Sequence, residues 1–129
     1  MRFKIELRYA DTDQMGLIYF ARHLVYADET VGKFFKEAGV NLLEWERRGV
    51  YLAVAHAEVD FESPLRYGEE CEVEVGVERV GKSSVSFSFK VFGSGELKSQ
   101  GKIVYVFIDG KSKIEIPMEI RMHLEKFIK

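Results

Sequence analysis

Apolar and charged residues alternate at the start of the chain. Phe3, Ile5, Leu7 and Tyr9 fall on one side of an extended backbone, and charged residues fall on the other. A period of two is typical of a half-buried β-strand. The pattern therefore predicts a first strand over residues 2–9.

The next long segment has the period of a helix. Over residues 21–38, apolar residues recur at spacings of three and four, namely Leu24, Ala27, Val31, Phe34, Phe35 and Ala38. Such spacing gives one apolar stripe along an α-helix, for which Gly39 is a natural C-terminal stop. Val25 and Tyr26 widen the stripe near its start, so we expect this end of the helix to be enclosed on more than one side.

Alternation returns in the second half of the chain and predicts four more strands, over residues 51–62, 71–80, 84–92 and 97–108. The first of these has one mostly small face, made by Tyr51, Ala53, Ala55, Ala57, Val59 and Phe61. The last three are separated by breaks short enough for antiparallel hairpins.

Two short helices complete the pattern. One is predicted over residues 41–48, and the other is expected to open with Pro117 at its first helical position and to bury Ile120, Leu124 and Phe127. A strand, a long apolar helix and then four strands make an α+β layout, in which the helix is best buried against a sheet that curves round it. We therefore expect a hotdog fold: an antiparallel sheet of about five strands around one long central helix, as a single domain over residues 1–129.

Composition excludes several classes of protein. The chain has 19 basic and 21 acidic residues and a net charge of -2, so it has no basic excess for nucleic acid. One cysteine, Cys71, excludes an intrachain disulfide and a multi-cysteine zinc site, and its alternating setting predicts a small core residue. The first residues lack the apolar centre of a signal peptide, and no segment approaches a membrane span of about 20 apolar residues, which predicts a cytoplasmic location.

The acidic stretch DTDQMG, residues 11–16, interrupts the strand-like start just before the long helix. Asp11, Asp13 and Gly16 match three positions of a calcium loop, but the fifth position is Met15 and the closing twelfth position is Arg22. The ligand count therefore predicts no metal site.

A helix cap is the second interpretation of this stretch. If Asp13 were the cap, Gly16 would lie in the first turn, where glycine is unfavourable, so a helix start near Phe20 or Ala21 fits better. The loop would then bring a carboxylate near backbone N–H groups at the positive end of a helix dipole. Thioester cleavage needs both groups, but on the residues alone a solvated or capping aspartate is the commoner case.

Two segments resemble a known family. The run RYADTDQMGLIYFARHLVYADE resembles the active-site segment of the 4-hydroxybenzoyl-CoA thioesterase family and of related bacterial acyl-CoA thioesterases of hotdog fold. The run VDFESPLRYGEECEVEV is similar to the family's connection into an acidic strand. The resemblance implies an enzyme that hydrolyses an acyl-CoA to a free acid and CoA.

The resemblance also implies roles for individual residues. Asp13 would be the catalytic carboxylate, as nucleophile or general base, and the backbone N–H of Phe20 would polarise the thioester carbonyl. Asp11 would be a supporting neighbour. Gly16 would let the backbone turn close to the substrate, and Tyr19 would line the acyl pocket or pack beneath it.

Substrate binding and assembly are implied in the same way. The run ERVGKSSVSF resembles the family hairpin that contacts the CoA nucleotide, which makes Lys82 and Ser83 candidates for phosphate or pantetheine contact, although a solvated Lys82 is an open alternative. The resemblance implies a homodimer or homotetramer with its site at a subunit interface, and it implies no metal or cofactor. We expect His23 to serve packing or a subunit contact rather than the substrate, and Asp28 to be a surface residue. A binding module of the same fold for acyl-CoA or acyl-carrier protein, without hydrolysis, is the alternative function.

Overall fold

The computed structural model of the protein describes residues 1–128, and its strands and helices follow one another in the expected order. In chain order they are β1 (Arg2–Ile5), α1 (Arg22–Glu37), α2 (Leu42–Arg47), β2 (Tyr51–Phe61), β3 (Cys71–Val80), β4 (Ser84–Gly93), β5 (Glu96–Ile108) and α3 (Met118–Glu125). No helix among these residues is long and apolar enough to cross a membrane.

The five strands form one antiparallel sheet in the order β1-β3-β4-β5-β2. Helix α1 packs against the inner face of the sheet, where alternate residues of β3 and β4 are fully buried. The helix contributes Ala27, Val31, Phe34 and Phe35 to the same core. The predicted α+β hotdog arrangement is confirmed.

Helix α1 matches its predicted span to within one residue at each end. Gly39 follows it with φ +91°, a conformation that favours glycine and ends the helix. At the other end Ala21 occupies the N-cap position, and no side chain caps the first turn. No side chain therefore occupies the backbone N–H groups at this end.

Strand β1 is shorter than predicted. It ends at Ile5, which pairs with Cys71, the first residue of β3, so residues 6–9 have no neighbouring strand to pair with. The chain instead makes a helical turn over Tyr9–Asp11, in which the N–H of Asp11 bonds the carbonyl oxygen of Arg8 at 3.0 Å. The predicted strand is therefore wrong over residues 6–9, because alternating residues form a strand only where a neighbouring strand can pair with their backbone.

Strand β2 has the predicted bounds to within one residue, but the predicted single small face is wrong. The register against β5 shifts between Val54 and His56, which is a β-bulge. Residues an odd number apart normally lie on opposite faces of a strand. Leu52 and Val59 are seven residues apart, yet both pack against the core, because the extra residue at the bulge exchanges the two faces. Opposite the distal half, a Cβ at Gly101 would clash with the backbone carbonyl of Glu58, so the two strands approach closely there.

The remaining elements follow the predictions closely. Asn41 caps α2 by accepting the N–H of Glu44. Pro117 stands one position earlier than predicted, at the N-cap of α3, and Phe127 lies beyond that helix although its ring packs against Phe34. Cys71 is buried as expected, and burial raises the pKa of its thiol to about 12.

Candidate active site

The loop between β1 and α1 is closed on itself by backbone hydrogen bonds around Asp13. The N–H of Asp13 bonds the carbonyl oxygen of Leu17 at 2.8 Å, and Thr12 forms a bridge with Ile18. The carboxylate oxygen Oδ1 of Asp13 accepts the N–H of Met15 at 2.8 Å and that of Leu17 at 3.1 Å. One carboxylate oxygen is thus fixed by the loop, while Oδ2 has no hydrogen-bond partner within residues 1–128.

Gly16 is needed for the shape of this loop. Its φ is +77°, in the left-handed region, where a side chain is strained. A Cβ at this position would meet no atom of the described chain within 4 Å. The structure therefore gives a conformational reason for this glycine, and its close approach to a substrate stays a prediction.

Asp11 lies buried beneath the loop and joins it to α1. Its carboxylate accepts the hydroxyl of Tyr26 at 2.8 Å and pairs with Arg8 at 3.2 Å and Arg22 at 3.4 Å. Burial opposes its charge, but the Tyr26 hydrogen bond and the two guanidinium groups hold the pKa of Asp11 below its usual value. Its carbonyl oxygen also accepts the N–H of Tyr19 at 2.8 Å, so Asp11 fixes the chain on both sides of Asp13.

The chain enters α1 with unused backbone donors. The N–H groups of Arg22 and His23 bond the carbonyl oxygens of Tyr19 and Phe20. Within residues 1–128, the N–H groups of Phe20 and Ala21 donate to no other group. The helix dipole gives such groups a partial positive charge, which suits a developing oxyanion.

Asp13 and the start of α1 line the same cleft, of about 500 Å³. Tyr19 and Phe20 are half-exposed on one wall, with ring centroids 4.7 Å apart. The opposite wall is formed by Phe61, the last residue of β2, and by the segment after it, which contributes Leu65. The sequence marked this segment only as a connection, so half of the cleft was not foreseen.

The opposite wall is fixed to both the loop and the sheet. The N–H of Ile18 bonds the carbonyl oxygen of Leu65 at 2.8 Å. The carbonyl oxygen of Lys98 in β5 accepts the N–H groups of Glu62 and Ser63, and the buried Lys98 ammonium pairs with Glu69 at 3.3 Å. Backbone hydrogen bonds therefore connect the two walls of the cleft to each other and to the sheet.

His23 lies at the base of the cleft, in the first turn of α1. It is 3% exposed, and its Nδ1 lies 2.8 Å from the hydroxyl oxygen of Ser99 in β5. Burial lowers its pKa to about 4, so the ring is neutral near pH 7. The His23 side chain is packed inside the protein as expected, and its contact with Ser99 also orients the imidazole ring.

A second, smaller cavity of about 290 Å³ lies further along α1. Its walls are mainly apolar and include Trp45 and Leu52. Asp28 faces it and accepts the hydroxyl of Tyr105 at 2.6 Å. Asp28 is exposed, as expected, and its carboxylate is also the hydrogen-bond partner of the buried Tyr105.

Lys82 and Ser83 lie far from Asp13 in the same protomer. They form the turn between β3 and β4, whereas the cleft lies at the opposite end of these strands. Each strand has 10 residues, which separates the two ends by about 30 Å. The structure therefore does not bring Lys82 and Ser83 together with Asp13 within one chain.

Carboxylates and histidines are not clustered for a metal in the part of the chain that the structure describes. No group of three or more His, Cys, Asp or Glu side chains there could hold an ion. The cleft therefore offers one carboxylate, of which Oδ2 has no hydrogen-bond partner in the described chain, together with N–H groups at a helix start that no side chain caps.

Comparison with known families decides the class. The family described as "Thioesterase-like superfamily" matches residues 7–124. The chain belongs to this family. The prediction of a hotdog thioester hydrolase is confirmed at this level, and the match does not separate the 4-hydroxybenzoyl-CoA branch from the others.

Individual relatives agree with the family. The chain is 29% identical over 110 residues to "Putative acyl-CoA thioesterase YneP" of Bacillus subtilis, covering 84% of this chain and 80% of YneP. It is 22% identical over 123 residues to the 1,4-dihydroxy-2-naphthoyl-CoA hydrolase of Synechococcus elongatus, covering 94% and 90%. It superimposes with a TM-score of 0.84 and 27% identity on a thioesterase of Thermus thermophilus complexed with coenzyme A and Zn, covering 97% of this chain and 92% of that one.

Proposed function

We propose that this member of the thioesterase-like superfamily is a cytoplasmic acyl-CoA thioesterase in which Asp13 is the catalytic carboxylate. The observation that carries the proposal is the shared cleft, which has the carboxylate of Asp13 and the start of α1 among its walls. The names of the relatives support acyl-CoA as the substrate class. The 4-hydroxybenzoyl-CoA branch is proposed on the resemblance of residues 8–29 alone.

The free oxygen of Asp13 can act in two ways. As a nucleophile it bonds to the thioester carbonyl carbon, the carbon–sulfur bond breaks, CoA departs as a thiolate, and water then hydrolyses the mixed anhydride. As a general base it takes a proton from a water molecule whose oxygen bonds to the same carbon; the carbon–sulfur bond then breaks, and CoA departs as a thiolate that takes up the proton. In both cases negative charge grows on the carbonyl oxygen, and the N–H of Phe20 stabilises it.

The site is proposed to lie between two copies of the chain. β2 has 11 residues and stands at the edge of the sheet, so one side of its backbone has no strand partner within residues 1–128. It also exposes the large apolar side chains of Tyr51, Val54 and Phe61. An edge of this length is normally covered or paired, and antiparallel pairing with a second copy would cover it.

Such pairing supports a shared site. A two-fold axis near His56, the middle of β2, would set Leu52 of one copy beside Asp60 of the other. The cavity at Leu52 would then open next to the other copy's cleft at Phe61 and could hold the acyl group. The β3–β4 turn of the second copy would then lie at the same end of the dimer as the first copy's cleft. In that arrangement Lys82 of the second copy could contact CoA bound in the first. A tetramer would be a dimer of such pairs.

The decisive experiment measures thiol release from a panel of aryl, short-chain and long-chain acyl-CoA substrates. Wild type is expected to hydrolyse at least one, and Asp13→Asn, which keeps the size and the Oδ1 acceptor, is expected to lose at least about 10²-fold in kcat. Glu37→Gln, at the exposed end of α1 that is opposite to the cleft, is the matched control. A variant Asp13→Asn with full activity would refute the mechanism.

A binding module is the second candidate, because Oδ1 of Asp13 accepts two loop N–H groups and would do so in a purely structural turn. Calorimetric binding of acyl-CoA or an acyl-carrier protein by wild type without any turnover would favour it. If hydrolysis occurs, mass spectrometry of acid-quenched enzyme would separate the two enzymatic routes. An acyl adduct on the peptide that contains Asp13 indicates the nucleophile, and its absence during rapid turnover indicates the general base.

A further inference from the structure

His23 is a buried titratable residue in the cleft that the proposed reaction does not use. It lies three residues after Phe20, and the N–H of His23 bonds the carbonyl oxygen of Phe20 at 3.2 Å. Residues three apart share one face of a helix, so the imidazole stands one turn from the proposed oxyanion donor. Its position alone does not say whether the ring gives or accepts a hydrogen bond.

The partner of His23 decides which ring nitrogen carries the proton. Ser99 is completely buried, and its hydroxyl makes a single hydrogen bond within residues 1–128, to Nδ1 of His23 at 2.8 Å. A buried hydroxyl hydrogen needs an acceptor. The Ser99 hydroxyl therefore donates to Nδ1, and the neutral imidazole carries its proton on Nε2.

The Nε2–H group of His23 faces the cleft. Nε2 has no hydrogen-bond partner within residues 1–128, and every fully buried side-chain nitrogen or oxygen in that part of the chain has one. Nε2 must therefore reach accessible surface, and His23 lines the cleft that contains Asp13. The edge-on ring of Phe61, at 5.0 Å between centroids, holds the imidazole from the side.

We propose that Nε2–H of His23 is a second hydrogen-bond donor to the thioester carbonyl oxygen, acting beside the backbone N–H of Phe20. The proposal rests on the proposed thioesterase function. A neutral donor suits this role, because it stabilises negative charge on the carbonyl oxygen without neutralising the nearby Asp13 carboxylate. Ser99 acts as a positioning residue that fixes the tautomer, and its bond and the Phe61 ring hold the donor in place before the substrate arrives.

The first test compares variants of His23 with the chosen acyl-CoA. His23→Phe keeps a ring but removes the donor, and we expect kcat to fall by about 10²-fold with KM changed by less than about threefold, as for loss of one oxyanion donor. His23→Gln places an amide N–H near the position of Nε2 and should recover at least about tenfold of that loss. Equal unfolding midpoints would show that the variants fold, and His123→Gln in α3 is the control.

The second test examines the tautomer without using activity. Nitrogen-15 NMR of the histidine rings at pH 7 should show His23 protonated on Nε2 only in wild type, and Ser99→Ala should produce a mixture of tautomers together with a lower kcat. A proton on Nδ1 in wild type, or wild-type kcat in a folded His23→Phe variant, would overturn the proposal while leaving the role of Asp13 intact. Absence of hydrolysis of every acyl-CoA by wild type would overturn the role of His23 together with the proposed function.

Discussion

The buried carboxylate of Asp11 gives the sharpest prediction about stability. The substitution Asp11→Asn keeps the shape of the side chain, and its amide oxygen can still accept the Tyr26 hydroxyl. The amide N–H₂ group, however, would face the guanidinium groups of Arg8 and Arg22, which are also donors. The variant therefore exchanges a satisfied buried anion for a poorly satisfied buried amide.

The expected cost follows from three contributions. Replacing the charged acceptor of Tyr26 by a neutral one costs about 1 kcal/mol. The buried amide hydrogens without acceptors cost about 1–3 kcal/mol. The pairs with Arg8 and Arg22 add little, about 0–1 kcal/mol each, because these arginines are 65% and 40% exposed and are screened by water. We expect the free energy of unfolding at pH 7 to fall by about 3 kcal/mol.

The loss should also depend on pH in a definite direction. The pKa of Asp11 is lower in the folded chain than its usual value, so ionised Asp11 stabilises the fold above the unfolded pKa of about 4. This stabilisation is lost as the pH falls through the folded pKa. The difference between wild type and Asp11→Asn should therefore be largest near neutrality and should shrink below about pH 4.

Urea unfolding at pH 7 and at pH 3, at one fixed protein concentration, measures both effects. Glu37→Gln is the control, since Glu37 at the end of α1 is exposed and its side chain makes no hydrogen bond or ion pair within the described chain, and it should stay within about 0.5 kcal/mol of wild type. The reasoning would be refuted if Asp11→Asn were as stable as the control at pH 7, or if the difference grew in acid. Asp13→Asn, which keeps the Oδ1 acceptor on an exposed side chain, should stay close to wild type in this assay although its kcat is expected to fall by at least about 10²-fold.

Three further predictions follow from single contacts. Gly16→Ala forces a side chain into φ +77°, so it should lower the free energy of unfolding by about 1 kcal/mol and reduce kcat, both measured beside wild type. Val54→Lys, at the exposed edge of β2, should shift sedimentation from dimer to monomer and lower kcat, whereas the same change at the solvated turn residue Ser94 should do neither. Cys71 should react with a thiol reagent at pH 8 only as fast as the chain unfolds, since burial raises its pKa to about 12; rapid labelling of folded protein would contradict this.

The sequence predicted the elements whose identity depends on local periodicity. α1, β3 and β4 carry an apolar stripe of one clear period, and each was placed to within about one residue. The errors fall where pairing decides the structure. Residues 6–9 alternate like a strand but have no partner beyond Cys71, and the bulge in β2 depends on its register against β5, which a pattern of apolar residues does not contain.

The candidate site divides in the same way. Asp13 and Phe20 are seven residues apart. A loop that meets a helix start predicts a carboxylate near backbone N–H groups, and the resemblance to the family selects these two residues. The partners that orient the site are distant in sequence: Tyr26 is 15 residues from Asp11, and Ser99 is 76 residues from His23. Without a tertiary structure, neither the buried anion nor the tautomer of the histidine could be inferred.

The loop that carries Asp13 is held almost entirely by its own main chain. The carboxylate bonds backbone N–H groups, and the Gln14 and Met15 side chains point outward, with Met15 76% exposed. These two positions can therefore mutate without displacing the reacting group, provided that Gly16 remains. Evolution can therefore change the exposed surface beside the reacting group at these two positions while the chemistry stays the same.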